Sequence, residues 1–332
     1  MKELATIIRH LTAHGAQGAV LATLVTVEGS SYRRPGARLL LTADGRRLGS
    51  ISGGCLEEDV LVRARTVGQT GRPEVVVYDT SSENDLVWGV GLGCHGVVQV
   101  LLEKLPAQPA WLPALAANLE ARRPTDLAVV WRATGSKPLG TQLAADLPAL
   151  PAEAGVFRQT IAPPVSLVVF GAGDDAQPLV RLAKEIGWHV TVADPRAAFA
   201  TAERFPAADI LLVGPAAGLA AQAAPGPDAL AVVMTHHYVH DVPLMRALLA
   251  RPLVYLGLLG PRKRAEKITA DLAAEGFDLT PAMRARLHAP VGLDLGAETP
   301  EEVALAILAE MQATLARRDA RPLRDRVRPI HE

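Results

Sequence analysis

Two cysteines carry the softest and most nucleophilic side chains of this sequence. Cys55 follows Gly53 and Gly54 in "ISGGCLEEDV", and Cys94 follows Gly93 in "GLGCHG". Glycines ahead of a thiol leave room for a ligand or for a second stretch of backbone. Because both cysteines of the chain occupy this setting, we expect at least one of them to be functional.

The residues around Cys55 act on its ionisation in both directions. The segment "CLEEDVLVRARTV" predicts a helix, whose N-terminus favours a thiolate. The three acidic residues 57–59 oppose the thiolate, and Arg33 and Arg34 of "GSSYRRPGARL" offset them if the two loops meet. Tandem arginines also suit a phosphate or a carboxylate. The alternatives are a small buried cysteine and arginines that are ordinary surface charge.

A second glycine turn lies in "VVFGAGDDAQPLV", residues 168–180. It follows a predicted strand and opens a predicted helix, as the G-x-G-x-x-A nucleotide-binding turn requires. Gly171 makes the tight turn, Gly173 admits a phosphate, and Ala176 replaces the third glycine. Asp194 ends the next strand, where a ribose-binding carboxylate belongs.

The same turn carries two consecutive carboxylates, Asp174 and Asp175. Like charge at this position repels a pyrophosphate, so we expect a Rossmann-type fold without NAD(P) binding. The alternatives are an NAD(P)-dependent oxidoreductase and a Rossmann scaffold reused for another phosphate-bearing ligand or for docking.

Polar residues follow two further strands of the predicted parallel sheet. In "MTHHYVHD" (234–241), His236 leads a group of imidazoles that suits a ligand site or a metal, while Asp241 suits a helix cap. In "LGLLGPRKRAEKI" (256–268), Arg262 begins a helix whose N-terminus binds an anion or is simply a solvated basic turn.

The pattern of apolar runs predicts an α/β protein with two domains. In the first half, short strands and hairpin turns indicate an α+β domain, and residues 126–134 and 155–161 are expected as edge strands of its sheet. In the second half, strands alternate with helices, which predicts a Rossmann-like, doubly wound parallel sheet. Thr299, Pro300 and Glu302 predict the capped start of its last helix.

The expected domain boundaries follow from these patterns. They give an N-terminal domain 1–162 with a Pro/Ala-rich connection at 105–125, a C-terminal domain 163–318, and a tail 319–332.

Composition excludes several classes of function. The 332 residues carry a net charge of −1, so the chain lacks the basic character of a nucleic-acid-binding protein. No apolar run is long enough and sufficiently free of charge and proline to predict a membrane span. Glu3 and Arg9 interrupt the first apolar segment, which argues against an export signal, so we expect a cytoplasmic protein with reduced thiols.

These motifs together resemble the XdhC/CoxI family, accessory proteins of molybdenum hydroxylases such as xanthine dehydrogenase and carbon monoxide dehydrogenase. The resemblance covers most of the chain and rests on "GSSYRRPGARLLL", "GSISGGCLEEDV", "GLGCHG", "VVFGAGDDAQPLV", "VTVADPR", "MTHHYVHD", "YLGLLGPRKR" and "LHAPVGLDLGAETPEEVALAILAE".

The resemblance implies a chaperone, rather than an enzyme, that binds the molybdopterin form of molybdenum cofactor, supports its sulfuration and delivers it to a hydroxylase. Carried onto this sequence, Cys55 and Cys94 become cofactor-contacting thiols, and one of them is a candidate ligand of molybdenum. We expect a molybdenum hydroxylase and a cysteine desulfurase as partners, and a homodimer. The competing interpretations are the NAD(P)-dependent oxidoreductase and a thiol-redox protein that uses both cysteines.

Overall fold

The computed structural model describes residues 2–79, 96–133, 139–327 and 330. The chain folds into two compact units, Met1–Pro163 and Pro164–Glu332. Within the described residues, no helix has both the length and the apolar character that crossing a bilayer requires.

The first unit is built on an antiparallel sheet with strand order β3-β2-β1-β5-β4 and a separate sheet with order β7-β6-β8. Its helices are α1 (Lys2–His14), α2 (Glu57–Thr70) and α3 (Trp111–Glu120), with a short 3-10 turn at Ala144–Asp146. Its strands are β1 (Val20–Gly29), β2 (Arg38–Leu41), β3 (Arg47–Gly49), β4 (Glu74–Asp79), β5 (Gly96–Lys104), β6 (Thr125–Arg132), β7 (Gly140–Leu143) and β8 (Gly155–Ile161).

The expectation that residues 126–134 and 155–161 extend the first sheet is wrong. They form β6 and β8, which pair antiparallel with each other and, through β6, with β7. The reason is the composition of one face of the first sheet. Leu21 and Leu101 are buried there against side chains of the second sheet, in separate apolar clusters. Stacking a sheet on this face buries more apolar surface than adding strands at an edge.

Helix α2 covers the opposite face of the first sheet. Val60, Ala64 and Val67 pack into one cluster with Leu24 and Val100, as the spacing of the helix predicts. Position 57, the first helical residue, is therefore fixed relative to the sheet.

The second unit is a parallel sheet with strand order β11-β10-β9-β12-β13-β14. Its strands are β9 (Ser166–Phe170), β10 (His189–Asp194), β11 (Ile210–Val213), β12 (Leu230–Val233), β13 (Tyr255–Leu258) and β14 (Leu287–His288). Its helices are α4 (Ala176–Glu185), α5 (Ala216–Ala223), α6 (Tyr238–Leu249), α7 (Arg262–Ala274), α8 (Pro281–Ala285) and α9 (Pro300–Ala316), followed by a 3-10 turn at Leu323–Asp325.

This strand order is that of the doubly wound Rossmann fold, so the predicted fold class is confirmed. Neighbouring residues of β9 enter different cores: Val169 packs with α4 and α9, and Val168 packs with α5, α6 and α7. Because both faces are covered, the strands are continuous apolar runs. Thr299 caps α9 with the expected capping box to Glu302. The strand order reverses between β9 and β12, which is where such folds bind ligands.

Candidate functional site

The loop that carries Cys55 is held by the carboxylate of Glu57. This side chain is only 3% exposed. It accepts hydrogen bonds from the backbone N–H of Ser52 at 2.9 Å, from that of Ile51 at 3.3 Å and from the hydroxyl of Ser50 at 2.8 Å, and a further one from the Ser52 hydroxyl. Burial alone raises the pKa of Glu57, but the hydrogen bonds from Ser52 and Ser50 outweigh it and hold that pKa below its ordinary value.

Ser52 extends this network toward the cysteine. Its hydroxyl oxygen accepts hydrogen bonds from the backbone N–H groups of Gly54 at 3.1 Å and Leu56 at 3.2 Å. The polar groups of the loop therefore point inward, and Cys55 between them is an exposed free thiol. This exposure contradicts the alternative of a small buried cysteine.

The helix begins at Glu57, so Cys55 lies just before Leu56, its N-cap residue. Two of the three carboxylates that were expected to oppose the thiolate accept hydrogen bonds from other groups. Glu57 turns back into the loop, and Asp59 accepts hydrogen bonds from Arg63 at 2.6 Å and from the Tyr78 hydroxyl at 2.7 Å. The sequence did not indicate either pairing.

Arg33, which was expected to offset the acidic residues beside the thiol or to bind an anion, pairs with Glu3 of α1. Its guanidinium makes a two-point contact with the Glu3 carboxylate, with an Nη1 to Oε1 distance of 3.0 Å. Hydrogen bonding to Glu3 raises the pKa of Arg33. Arg34 is exposed, and its carbonyl accepts a hydrogen bond from Ala37.

The structure brings the arginine loop to the cysteine loop through Tyr32. Its exposed ring faces Gly53, two residues before Cys55. Sequence reasoning missed this residue; the available signal was an aromatic side chain inside the polar loop "GSSYRRPG". Gly93 and Cys94 lie outside the described residues, so their expected contact with the cofactor stays a prediction.

In the second unit, the glycine turn packs against the end of β12. Gly171 has a φ of 120°, and a Cβ atom there would lie 2.4 Å from the carbonyl oxygen of Met234. A Cβ at Gly173 would lie 2.6 Å from a carboxylate oxygen of Asp175. Glycine at position 171 is therefore required by both its conformation and its packing.

Asp194 does not fit the expected contact with a ribose. The residue is fully buried, and its carboxylate accepts hydrogen bonds from the backbone N–H groups of Ala172 and Arg196, both at 2.7 Å. The Arg196 guanidinium donates a further bond at 2.9 Å. Burial raises the pKa of Asp194, but the hydrogen bonds from Arg196 and Ala172 outweigh it and lower that pKa. The carboxylate is thus used to fix the glycine turn.

Each of the two consecutive aspartates contacts a side chain from another part of the second unit. Asp174 lies 2.8 Å from Nη2 of Arg204. The Oδ2 atom of Asp175 lies 2.7 Å from Nε2 of His236, which has a left-handed φ of 60°. Because Asp175 follows β9 and His236 follows β12, this pair spans the point where the strand order reverses.

The other histidines and basic residues at this edge do not converge on one centre. His237 and His240 have ring centroids 5.6 Å apart. Within the described ranges, no three histidine, cysteine or acidic side chains come together as metal ligands. Asp241 is not a helix cap: it is buried inside α6 and accepts a hydrogen bond from Arg264 at 2.9 Å. Arg262 is the exposed first residue of α7.

The sequence matches two family models, one for each unit. Residues 13–79 match the XdhC and CoxI family, and residues 167–311 match the XdhC Rossmann domain. The first match contains the loops of Tyr32 and Cys55, and the second match contains the glycine turn and His236.

Two named bacterial proteins and one crystal structure are similar to the chain over most of its length, in agreement with these matches. The chain is 34% identical to a probable xanthine dehydrogenase subunit of Bacillus subtilis, over 90% of this chain and 94% of that protein. It is 29% identical to PaoD of Escherichia coli, a molybdenum cofactor insertion chaperone, over 89% of this chain and 83% of that protein. A crystal structure described as a xanthine dehydrogenase from Bacillus halodurans superposes with a TM-score of 0.82, at 32% identity, over 97% of this chain and 99% of that one. The chain therefore belongs to the XdhC and CoxI family.

Proposed function

We propose that this protein is a chaperone that binds molybdenum cofactor and passes it to a molybdenum hydroxylase related to xanthine dehydrogenase. The similarity to a named insertion chaperone over most of both chains supports the class of function. The observation that carries the proposal is the exposed thiol of Cys55 in a loop tied down by the buried Glu57 carboxylate.

The chemistry of this loop suits the cargo. Molybdenum cofactor combines a metal held by dithiolene sulfurs with a pterin and a phosphate. Cys55 supplies a thiol, a further sulfur donor, that folding leaves outside the core. A thiol held in one position loses little conformational freedom when cargo binds, which favours affinity.

The proposal includes finer steps. The bound cofactor is sulfurated with the help of a cysteine desulfurase and then transferred to the apo-hydroxylase. The chaperone acts in the cytoplasm, where thiols stay reduced, and as a homodimer. Co-purification with the two partner enzymes and the molar mass in solution test these steps.

A direct binding experiment tests the cargo. The purified full chain is mixed under anaerobic conditions with molybdenum cofactor released from a molybdenum hydroxylase, and the protein is re-isolated by gel filtration. We expect molybdenum and pterin to elute with the protein in equal amounts. Elution of the protein without either would contradict the proposal.

A deletion strain tests the delivery. Loss of this protein is expected to leave the hydroxylase present but inactive, with normal flavin and iron–sulfur content and a deficit of inserted or sulfurated cofactor. Normal hydroxylase activity in a strain without a second copy would refute delivery.

A further inference from the structure

Two histidines near the end of α1 lie next to each other on the surface of the helix. His10 and His14 are four residues apart, a spacing that places two side chains on the same side of a helix. Their imidazole rings are stacked, with 4.6 Å between the ring centroids and an angle of 21° between the ring planes. The two rings are therefore neighbours in the folded chain.

One contact determines which nitrogen of His14 carries the proton. Its Nδ1–H donates a hydrogen bond to the carbonyl oxygen of His10 at 3.1 Å. A carbonyl oxygen can only accept, so the proton lies on Nδ1 and the lone pair of the neutral imidazole lies on Nε2. A bond from Nδ1–H to a backbone carbonyl is also the arrangement that orients histidines which bind metals through Nε2.

The two imidazoles are accessible to an ion from solvent. His14 is exposed and His10 is half-buried. Within the part of the chain that the structure describes, neither Nε2 atom has a hydrogen-bond partner. Arg9, the charged neighbour of His10 in the sequence, donates to the hydroxyl of Thr6 at 3.4 Å, on the N-terminal side of the pair. His14 is the last residue of α1, where the helix dipole favours a cation.

We propose that His10 and His14 form a two-histidine site for a divalent transition-metal ion, bound through the two Nε2 atoms. Imidazole is a suitable ligand for Zn²⁺, Ni²⁺ and Cu²⁺. Two nitrogens that each lie about 2.0–2.1 Å from one ion are roughly 3.3 Å apart in tetrahedral coordination, which stacked rings reach by a small tilt. The described ranges hold no cluster of three such protein ligands, so water completes the coordination shell.

Nickel binding by the full chain tests the site. The cysteines are first alkylated in every protein, because thiolates also bind such ions. Each protein is titrated with Ni²⁺ by calorimetry, and its thermal melt is recorded with and without the ion. His10→Gln and His14→Gln each remove one imidazole. The double variant Thr12→His, His14→Gln keeps two imidazoles on α1 but places them two residues apart, where side chains do not face each other.

Two histidines outside α1 provide the matched control. His237 and His240 lie at the start of α6, with ring centroids 5.6 Å apart and an angle of 66° between the ring planes. The double variant His237→Gln, His240→Gln removes two imidazoles and leaves α1 unchanged. Its Kd for Ni²⁺ at the α1 site should stay within about twofold of the wild type, because the two places are independent.

The wild-type chain should bind one Ni²⁺ at this pair, and its melting temperature should rise with the ion, because an ion that binds only the folded chain stabilises it. Changing a group that merely orients a metal ligand raises Kd about 10- to 100-fold, so loss of a ligand in His10→Gln or His14→Gln should raise it at least about tenfold. Thr12→His, His14→Gln should bind as weakly as His14→Gln. Without the ion, all variants should melt close to the wild type, because the substituted side chains lie at the surface.

Three results would overturn the proposal. The first is a wild-type chain that does not bind Ni²⁺. The second is unchanged affinity in both His10→Gln and His14→Gln, which would place the ion elsewhere. The third is wild-type affinity in Thr12→His, His14→Gln, which would show that the spacing of the two imidazoles has no effect. None of these results bears on the proposed chaperone function, which concerns other residues.

Discussion

Replacement of Glu57 by glutamine tests whether one carboxylate holds the cysteine loop in place. The side chain is buried and accepts hydrogen bonds from two backbone N–H groups and two serine hydroxyls. Glutamine keeps the acceptor Oε1 but places an NH2 group opposite the Ser52 hydroxyl, whose oxygen already accepts two N–H groups. One hydrogen bond to a charged group is lost.

Such a bond contributes about 1.5–3 kcal/mol to the free energy of unfolding, so we expect a loss of about 2 kcal/mol for Glu57→Gln. For a unit of this size that corresponds to a fall of about 4–8 °C in melting temperature. Scanning calorimetry measures the fall, and alkylation of Cys55 measures whether the loop has loosened. The thiol should react faster in the variant.

Acid provides a second test of the same carboxylate. Because the pKa of Glu57 is lower in the folded protein than its ordinary value of 4.5, its contribution is fully present above that ordinary value and is lost as the pH falls through the folded pKa. The stability difference between the wild type and Glu57→Gln should therefore shrink below about pH 4.5.

Glu58 is the matched control for this substitution. It is an exposed carboxylate in the same helical turn, so Glu58→Gln should change the free energy of unfolding by less than about 0.5 kcal/mol. Equal effects of the two substitutions, or no effect of Glu57→Gln on either melting or alkylation, would refute the reasoning.

Four further outcomes are expected. Cys55→Ser should melt close to the wild type, because the thiol is exposed, but should retain less molybdenum cofactor after gel filtration; a large fall in melting temperature with unchanged retention would contradict a ligand role. Cys94→Ser should have the same effect on retention if both thiols contact one ligand. Asp194→Asn should lower the free energy of unfolding by about 1.5–3 kcal/mol in urea titrations, since it removes a buried charged acceptor; an unchanged transition midpoint would refute this. Calorimetry with NAD(H) and NADP(H) should detect no micromolar binding, and such binding would favour the oxidoreductase alternative.

Local sequence patterns predicted the elements and their caps well, because those depend on neighbouring residues. The apolar runs of the second half indicated a parallel sheet, and Thr299 and Glu302 indicated a capping box three residues apart; both are confirmed. Gly171 was expected at a tight turn and has the backbone conformation that such a turn needs.

Contacts between residues distant in sequence were not predictable in the same way. Arg33 pairs with Glu3, 30 positions away, and His236 pairs with Asp175, 61 positions away. No local pattern states which of several charged residues meet once the chain is folded. The position of β6 and β8 has the same origin, because it depends on which face of another sheet needs covering.

These long-range contacts also change the reason for expecting no NAD(P) at the glycine turn. The sequence suggested that repulsion by Asp174 and Asp175 excludes a pyrophosphate. In the structure Asp174 lies against Arg204 and Asp175 against His236. An ion pair at the surface, such as Asp174–Arg204, contributes only about 0–1 kcal/mol, so separating it is a small obstacle.

The stronger obstacle is Asp194, the residue that a dinucleotide needs for its ribose. Its carboxylate is buried beneath the turn and bonded to Ala172 and Arg196, so binding a ribose would require breaking contacts that shape the turn itself. A buried charge that loses its partners is far more costly than an exposed one. The second unit therefore keeps the strand order and the glycine turn of a dinucleotide-binding domain. Its Asp194 carboxylate, at the position that binds a ribose in such domains, holds the glycine turn in place.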